Sequence, residues 1–395
     1  MPETAAGITP FSFNLLRTDA DSWARRGRVT TSRGVIETPV FMPVGTRATV
    51  KTLLPSEVAE TGAQIILANT YHLMLRPGVE TIERAGGLQR FMQWPGPILT
   101  DSGGFQVYSL AGQVKVTETG AAFRSHIDGS KHLLTPELAI ELQYRYGSTI
   151  AMAFDHVVGY PAEDRTFREA MHRTTRWLHR CIGAYRLLQA AQRGMALFGI
   201  CQGGMDAEMR RHSAQAIADA DVAGCAVGGL SVGESKDMMN HMLEATTPEL
   251  PAGKPRYLMG VGSPEDLWHG VARGIDMFDC VLPTRLARNG ALFTPAGRID
   301  IKWAKYRDEQ EPIDPTCDCQ ACRQFSAAYL HHLFRTGEIL GLRLASVHNL
   351  RFLAREMETI RTAIEDGSFV RRHRIFQDAY RPVSAARVKI GEVVA

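Results

Sequence analysis

The chain has 395 residues, 45% apolar and 22% charged, an ordinary globular balance that excludes disordered and collagen-like classes. A net charge of +3 does not by itself argue for nucleic-acid binding, and no uncharged apolar run approaches the ~20 residues of a membrane helix. The length accommodates one large barrel or two domains. The opening stretch, MPETAAGITPFSFNLLRTDA, has no basic segment followed by an apolar one, so no signal peptide is expected and a reducing cytoplasm is the predicted location. Short apolar segments then recur: 40–45 (VFMPVG), 65–69 (IILAN), 97–101 (PILTD), 149–155 (TIAMAFD), 197–202 (LFGICQ), 222–229 (VAGCAVGG), 257–262 (YLMGVG) and 276–282 (DMFDCVL). Most are continuously apolar rather than alternating, the pattern of buried parallel strands.

Helical patterns lie between them. Residues 135–147 begin with Thr135 as N-cap and Pro136 in the first turn, and 263–274 open with Ser-Pro and close on Gly274. Residues 162–194 read as one long helical connection, and 107–134 as a hairpin-bearing excursion after the third strand. Eight strands alternating with helices predict an α/β fold, a (β/α)8 TIM-type barrel with insertions.

Three of the seven cysteines fall in TCDCQACR, residues 316–323. Cys-x-Cys-x2-Cys in a reducing compartment points to metal, and zinc takes four ligands. His331, His332 and His348 are the candidates for the fourth. His348 is favoured. A turn at Gly341 would start a second helix there and return it to the cysteines. Four protein ligands leave no open position, so the zinc is expected to be structural. Cys201, Cys225 and Cys280 lie within strands and read as buried thiols.

Polar residues follow the predicted strand ends: Asn69, Asp101, Asp155, Gln202, Gly229, Gly260 and Asp279. In this fold that rim carries the chemistry. Each residue alone reads as a turn or cap. Carboxylates on several strand ends suggest glycosidic chemistry through an oxocarbenium-like transition state. Asp279, between Phe278 and Cys280, is the candidate nucleophile. Asp101, followed by Ser102, Gly103 and Gly104, is the candidate acid/base, because the glycines let substrate approach the backbone.

These motifs resemble the tRNA-guanine transglycosylases, the bacterial type in particular. The likeness spans roughly residues 12–380. It rests on ANTYHLMLRPG (68–78), TDSGGFQV (100–107), GICQGG (199–204), VGGLSVGE (227–234), YLMGVG (257–262), GIDMFDCVLPTRLARNG (274–290), the cysteine cluster and VHN (347–349). The resemblance implies a C-terminal zinc-binding subdomain holding one structural ion through Cys317, Cys319, Cys322 and His348. It implies exchange of wobble guanine in tRNA with a G-U-N anticodon for a 7-substituted 7-deazaguanine, 7-aminomethyl-7-deazaguanine in the bacterial case. Asp279 would form a covalent ribosyl intermediate while Asp101 manages the proton. Ser102, Gly103, Gly104, Phe105, Asp155, Gln202, Gly229, Leu230 and Met259 would bind the base. Phe105 and Met259 would sandwich it. RNA would be met by Gly260, Val261 and Gly262 and by Thr284, Arg285, Leu286, Ala287 and Arg288. A homodimer is also implied, with Phe91, Phe325, Tyr329 and His332 as contact candidates.

The expected organisation is a catalytic barrel over 12–290, a zinc unit over 291–350, a helical segment over 351–380 packing back on the barrel, and a flexible tail over 381–395. Departures from the family pattern are DHVVGYPA at 155–162 and Ser263 where lysine is common. The alternatives are a queuine-inserting enzyme of eukaryotic type, disfavoured by Val232, a non-catalytic RNA-binding partner subunit, and a sugar-active barrel hydrolase. Retention of Asp101 and Asp279 argues against the inert subunit. The zinc module and the guanine-pocket set argue against the hydrolase.

Overall fold

The computed structural model describes residues 10–110 and 114–381. All eight apolar segments are strands of one parallel sheet: β1 (Val40–Pro43), β2 (Ile66–Asn69), β3 (Ile98–Asp101), β4 (Ile150–Met152), β5 (Ala196–Cys201), β6 (Gly224–Val227), β7 (Arg256–Leu258) and β8 (Met277–Cys280). Neighbours run in chain order, and β8 returns to pair with β1. A parallel bridge between Val44 and Leu67 joins β1 to β2, with the Gly45 N–H donating to the Leu67 carbonyl at 2.7 Å. The barrel is thereby almost fully closed.

Two cores explain the continuous apolar runs. Met42, Leu67, Leu99, Met152, Phe198, Ala226, Tyr257 and Met277 pack together in the barrel interior. Their strand neighbours, such as Phe41 and Phe278, join the larger core under the helices. Both faces are therefore dry, and alternation in polarity disappears while alternation in direction remains. The helices follow their caps. Thr135 and Ser263 accept from the backbone N–H groups of Leu138 and Asp266, and Gly147 ends the helix Pro136–Tyr146 in the left-handed region. The long connection is the helix Asp164–Leu187.

Three features differ from the sequence reading. An antiparallel sheet, Ser12–Thr18, Arg25–Thr31 and Gly34–Thr38, precedes the barrel, and its Val29 and Ile36 join the interior core. The excursion after β3 is the helix Gly104–Leu110 followed by three antiparallel strands, Val114–Val116, Ala121–Arg124 and Lys131–Leu134, one strand more than a hairpin. The turn before the helix carrying His348 is at Gly337 rather than Gly341. That helix, Ile339–Asp366, runs unbroken past residue 350. His348 lies inside it, and Gly341 is a helical residue whose missing side chain lets Leu333 and Phe334 pack close. Within the expected tail only Arg381 belongs to the described residues.

Candidate active site and metal cluster

Strand periodicity aims the rim. Leu99 and Met277 point into the barrel, so Asp101 and Asp279, two residues on, point into its mouth. The same step carries Leu67 to Asn69, Ile200 to Gln202 and Tyr257 to Met259.

Asp279 is buried, and its two oxygens are unlike. Oδ1 accepts from the Tyr257 hydroxyl at 2.6 Å and from the Gly260 N–H at 2.7 Å. Among the described residues, nothing donates to Oδ2. One oxygen is thus anchored and the other keeps its lone pairs. Burial pushes the Asp279 pKa up, against those two hydrogen bonds.

Asp101 has a different surrounding. Its Oδ1 accepts from the N–H groups of Thr70 (3.0 Å) and Gly103 (3.2 Å), and its Oδ2 contacts Asn69 Nδ2. Burial, and then the nearby Asp279 and Asp155 charges, raise its pKa to about 7 despite the backbone donors. At neutral pH it holds or releases a proton with little bias, which suits general acid/base chemistry.

Asp155, just past β4, is buried and accepts from Ser102 Oγ at 3.1 Å and Gln202 Nε2 at 2.8 Å. Burial raises its pKa to about 6. A Cβ on Gly104 would lie 2.6 Å from Asp155 Oδ1, so that position needs glycine. Gly229 has φ +63°, and a Cβ there would meet Gln202 Oε1 at 2.3 Å. Glu234 contacts the Ser231 N–H and accepts from Val232 N–H at 2.9 Å. A trans peptide points its C=O opposite to its N–H, so the Leu230 carbonyl faces away from Glu234. Phe105 is 40% exposed and Met259 partly buried at the mouth.

The residues expected to meet RNA differ in exposure. Gly260 is exposed with φ +71°, and Arg285, Leu286 and Arg288 are partly exposed. Val261, Gly262, Thr284 and Ala287 are buried, and Ala287 has no exposed surface. These four offer little surface in the free chain. Arg47 and Lys51, which the sequence reading passed over, join Arg285 and Arg288. Burial and the charges of Arg288, Arg47 and Arg285 lower the Lys51 pKa. None of the four cations forms a salt bridge among the described residues.

Cys317, Cys319, Cys322 and His348 converge in a buried cluster whose potential ligand atoms lie within 4.8 Å of one another. Tetrahedral zinc with ~2.3 Å bonds to sulfur sets its sulfurs about 3.8 Å apart, so the set fits. His348 Nε2 lies 2.7 Å from the Phe293 carbonyl, which only accepts. Nε2 therefore carries the proton, and Nδ1, 3.3 Å from Cys322 Sγ, keeps a lone pair for metal. His331 is turned away, its Nδ1 against the Ile301 carbonyl at 2.8 Å, and His332 is exposed. Asn349 was also missed. It accepts from the Phe293 N–H and donates to the Pro283 and Ala291 carbonyls, each at 3.0 Å.

Fold and site together define an enzyme class: a parallel barrel that presents carboxylates at its carboxyl rim and carries a Cys3His metal module. A family model described as queuine tRNA-ribosyltransferase matches residues 19–382. The chain is 60% identical over 354 residues to the queuine tRNA-ribosyltransferase of Herpetosiphon aurantiacus, covering 90% of this chain and 88% of that one. It is 54% identical to that of Symbiobacterium thermophilum (95% and 93% covered) and 51% identical to that of Moorella thermoacetica (95% and 99%). The chain belongs to the queuine tRNA-ribosyltransferase family and is a transferase. Among the described residues, no helix is long and apolar enough to cross a membrane.

Proposed function

We propose that this enzyme exchanges guanine at the wobble position of G-U-N tRNAs for 7-aminomethyl-7-deazaguanine. The observation that carries this reading is the asymmetry of Asp279, one oxygen anchored and the other free, beside an Asp101 whose pKa is about 7. Asp279 Oδ2 attacks C1′ of the nucleotide, the C1′–N9 bond breaks, and its electron pair leaves with guanine. Asp101 supplies the proton to the departing base and takes one from the incoming base. That base then displaces Asp279 from the opposite face. Two inversions give net retention, as in retaining glycosidases.

Asp155 accepts from N1–H and the exocyclic amine, Gln202 and the Gly229 N–H donate to O6, and the Leu230 carbonyl accepts the aminomethyl group. Ser102, Gly103 and Gly104 let the base lie against the backbone, between Phe105 and Met259. The target nucleotide must leave its stack to reach this pocket. The unpaired cations Arg47, Lys51, Arg285 and Arg288 supply the charge that an anticodon loop needs, with Gly260 and Leu286 beside them.

The metal is zinc, one structural ion per chain, and it holds the unit over 291–350 in register with the barrel over 12–290. The helical segment over 351–380 backs it. Exposed Phe91, Tyr329 and His332, with Phe325 stacked on Tyr329 at 5.3 Å, form a homodimer contact. The cytoplasm, where tRNA is found, is its place of action. Incubation with labelled guanine and unmodified G-U-N tRNA tests the reading. Label should enter the tRNA, and release of free guanine without incorporation would instead identify a hydrolase.

A further inference from the structure

Arg210 has no exposed surface and no salt bridge among the described residues. It projects from the helix Ala207–Ala218 onto three backbone carbonyls. Nε donates to Gly204 (2.8 Å), Nη1 to Gly228 (2.7 Å) and Nη2 to Gly229 (3.0 Å). Burying a guanidinium without a carboxylate is costly, and burial lowers its pKa to about 10. An apolar side chain of similar length would fill the space without that cost. What the charge touches therefore matters more than the volume it fills.

The Gly228 carbonyl belongs to the same peptide unit as the Gly229 N–H. A cation donating to that oxygen draws electron density from the amide, making the N–H a stronger donor. On the other side the turn is closed by Gln202. A Cβ on Gly228 would meet Gln202 Nε2 at 3.0 Å, and one on Gly229 would meet Oε1 at 2.3 Å. Gln202 in turn donates to Asp155 at 2.8 Å.

We infer that Arg210 is a positioning residue that orients and polarises the Gly229 N–H for the 6-oxo group of a guanine-like base. The inference rests on the pocket reading above and deepens it, since it locates discrimination at one atom of the ring. Removing the guanidinium should weaken binding at O6 and leave the neighbouring N1–H and amine, read by Asp155, unchanged.

6-Thioguanine is the probe, because it keeps N1–H and the amine but replaces O6 with a poor acceptor. In labelled-guanine exchange on tRNA, wild type should prefer guanine. In Arg210→Met the guanine KM should rise about tenfold, the worth of one strong hydrogen bond. The 6-thioguanine inhibition constant and the tRNA KM should stay within about twofold. Arg210→Lys, which keeps the charge and reaches one carbonyl, should fall between. Equal losses for both bases would make Arg210 a purely structural residue and overturn the inference, as would an unchanged guanine KM. If Arg210→Met does not melt cooperatively, Arg210→Lys decides alone. If neither folds, Arg210 is a folding residue and the inference is again overturned. Absence of guanine exchange by wild type would remove the functional reading itself, whereas retained O6 preference in the variants would remove this inference alone.

Discussion

The rim and the metal cluster are assembled by opposite means. Three of the four potential metal ligands lie within six consecutive positions, so local spacing gathers them. The rim carboxylates come from strands far apart in the chain, and only barrel closure brings them together. Their electrostatics differ as well. The thiols and Nδ1 converge within 4.8 Å of one another, an arrangement that could hold a cation. At the rim, Asp101, Asp155 and Asp279 are each held by donors, and burial raises all three pKa values. One region gathers donors that could hold a metal ion, and the other uses burial to raise the pKa values of its carboxyls.

The strongest way to break this contrast is at Asp279. Asp279→Asn should lower exchange by roughly 10⁶-fold, the scale for removing a covalent nucleophile, while tRNA binding persists. A denaturation-resistant protein–tRNA adduct should form with wild type and vanish in the variant; substantial exchange by the variant would refute the assignment. Next comes Asp155→Asn, which puts an amide donor against a base edge that presents two donors. kcat/KM for guanine should fall by roughly 10⁴-fold, and unchanged guanine kinetics would sink the pairing.

The cluster is tested by Cys319→Ser. Metal analysis should show one zinc per wild-type chain and close to none in the variant, with a lower melting temperature. Stoichiometric zinc in the variant would end the ligand assignment. Apo protein should keep the barrel's far-UV signature while exchange protection falls over 300–350.

A smaller effect sharpens the rim side. Asp101 has a folded pKa of about 7, above the usual carboxylate value. Between the two values the native state binds the proton and the unfolded chain does not, so the group's contribution to stability falls as pH rises through that window and the full penalty applies above pH 7. The melting temperature of Asp101→Asn relative to wild type should therefore climb from pH 5 to pH 8. The change should correspond to on the order of 2 kcal/mol, discounted for the open side of the carboxyl. A flat difference would show that Asp101 is ionised throughout.

The barrel was legible because both faces of its strands are dry, which leaves long apolar runs bounded by glycine and polar residues. The three cysteines were legible from spacing, whereas His348 was reached through a turn expected at Gly341 that lies at Gly337. Tyr257 was not, because an aromatic in an apolar strand reads as core, and only the barrel register sets its hydroxyl on Asp279. Arg210 reads as one more charge on a helix until the loops after β5 and β6 fold over it. The antiparallel sheet before the barrel was passed over because its strands are rich in arginine. Arg26 and Arg28 share Glu37 across that sheet, so charge there serves cross-strand pairing, with Arg26 buried and Arg28 exposed.

Phe293 is held twice by one helix. Its carbonyl meets His348 and its N–H meets Asn349, and Asn349 also holds the Pro283 carbonyl in the helix that bears Arg285 and Arg288. Two adjacent side chains thus tie the metal centre and the cationic surface to a common point, as a surveyor ties two plots to one benchmark. Asn349→Leu should leave zinc and guanine affinity near wild type but raise the tRNA KM severalfold. In a library randomised at 348 and 349, folded variants that keep zinc yet lose tRNA should arise from position 349, and variants that lose zinc should lose tRNA as well.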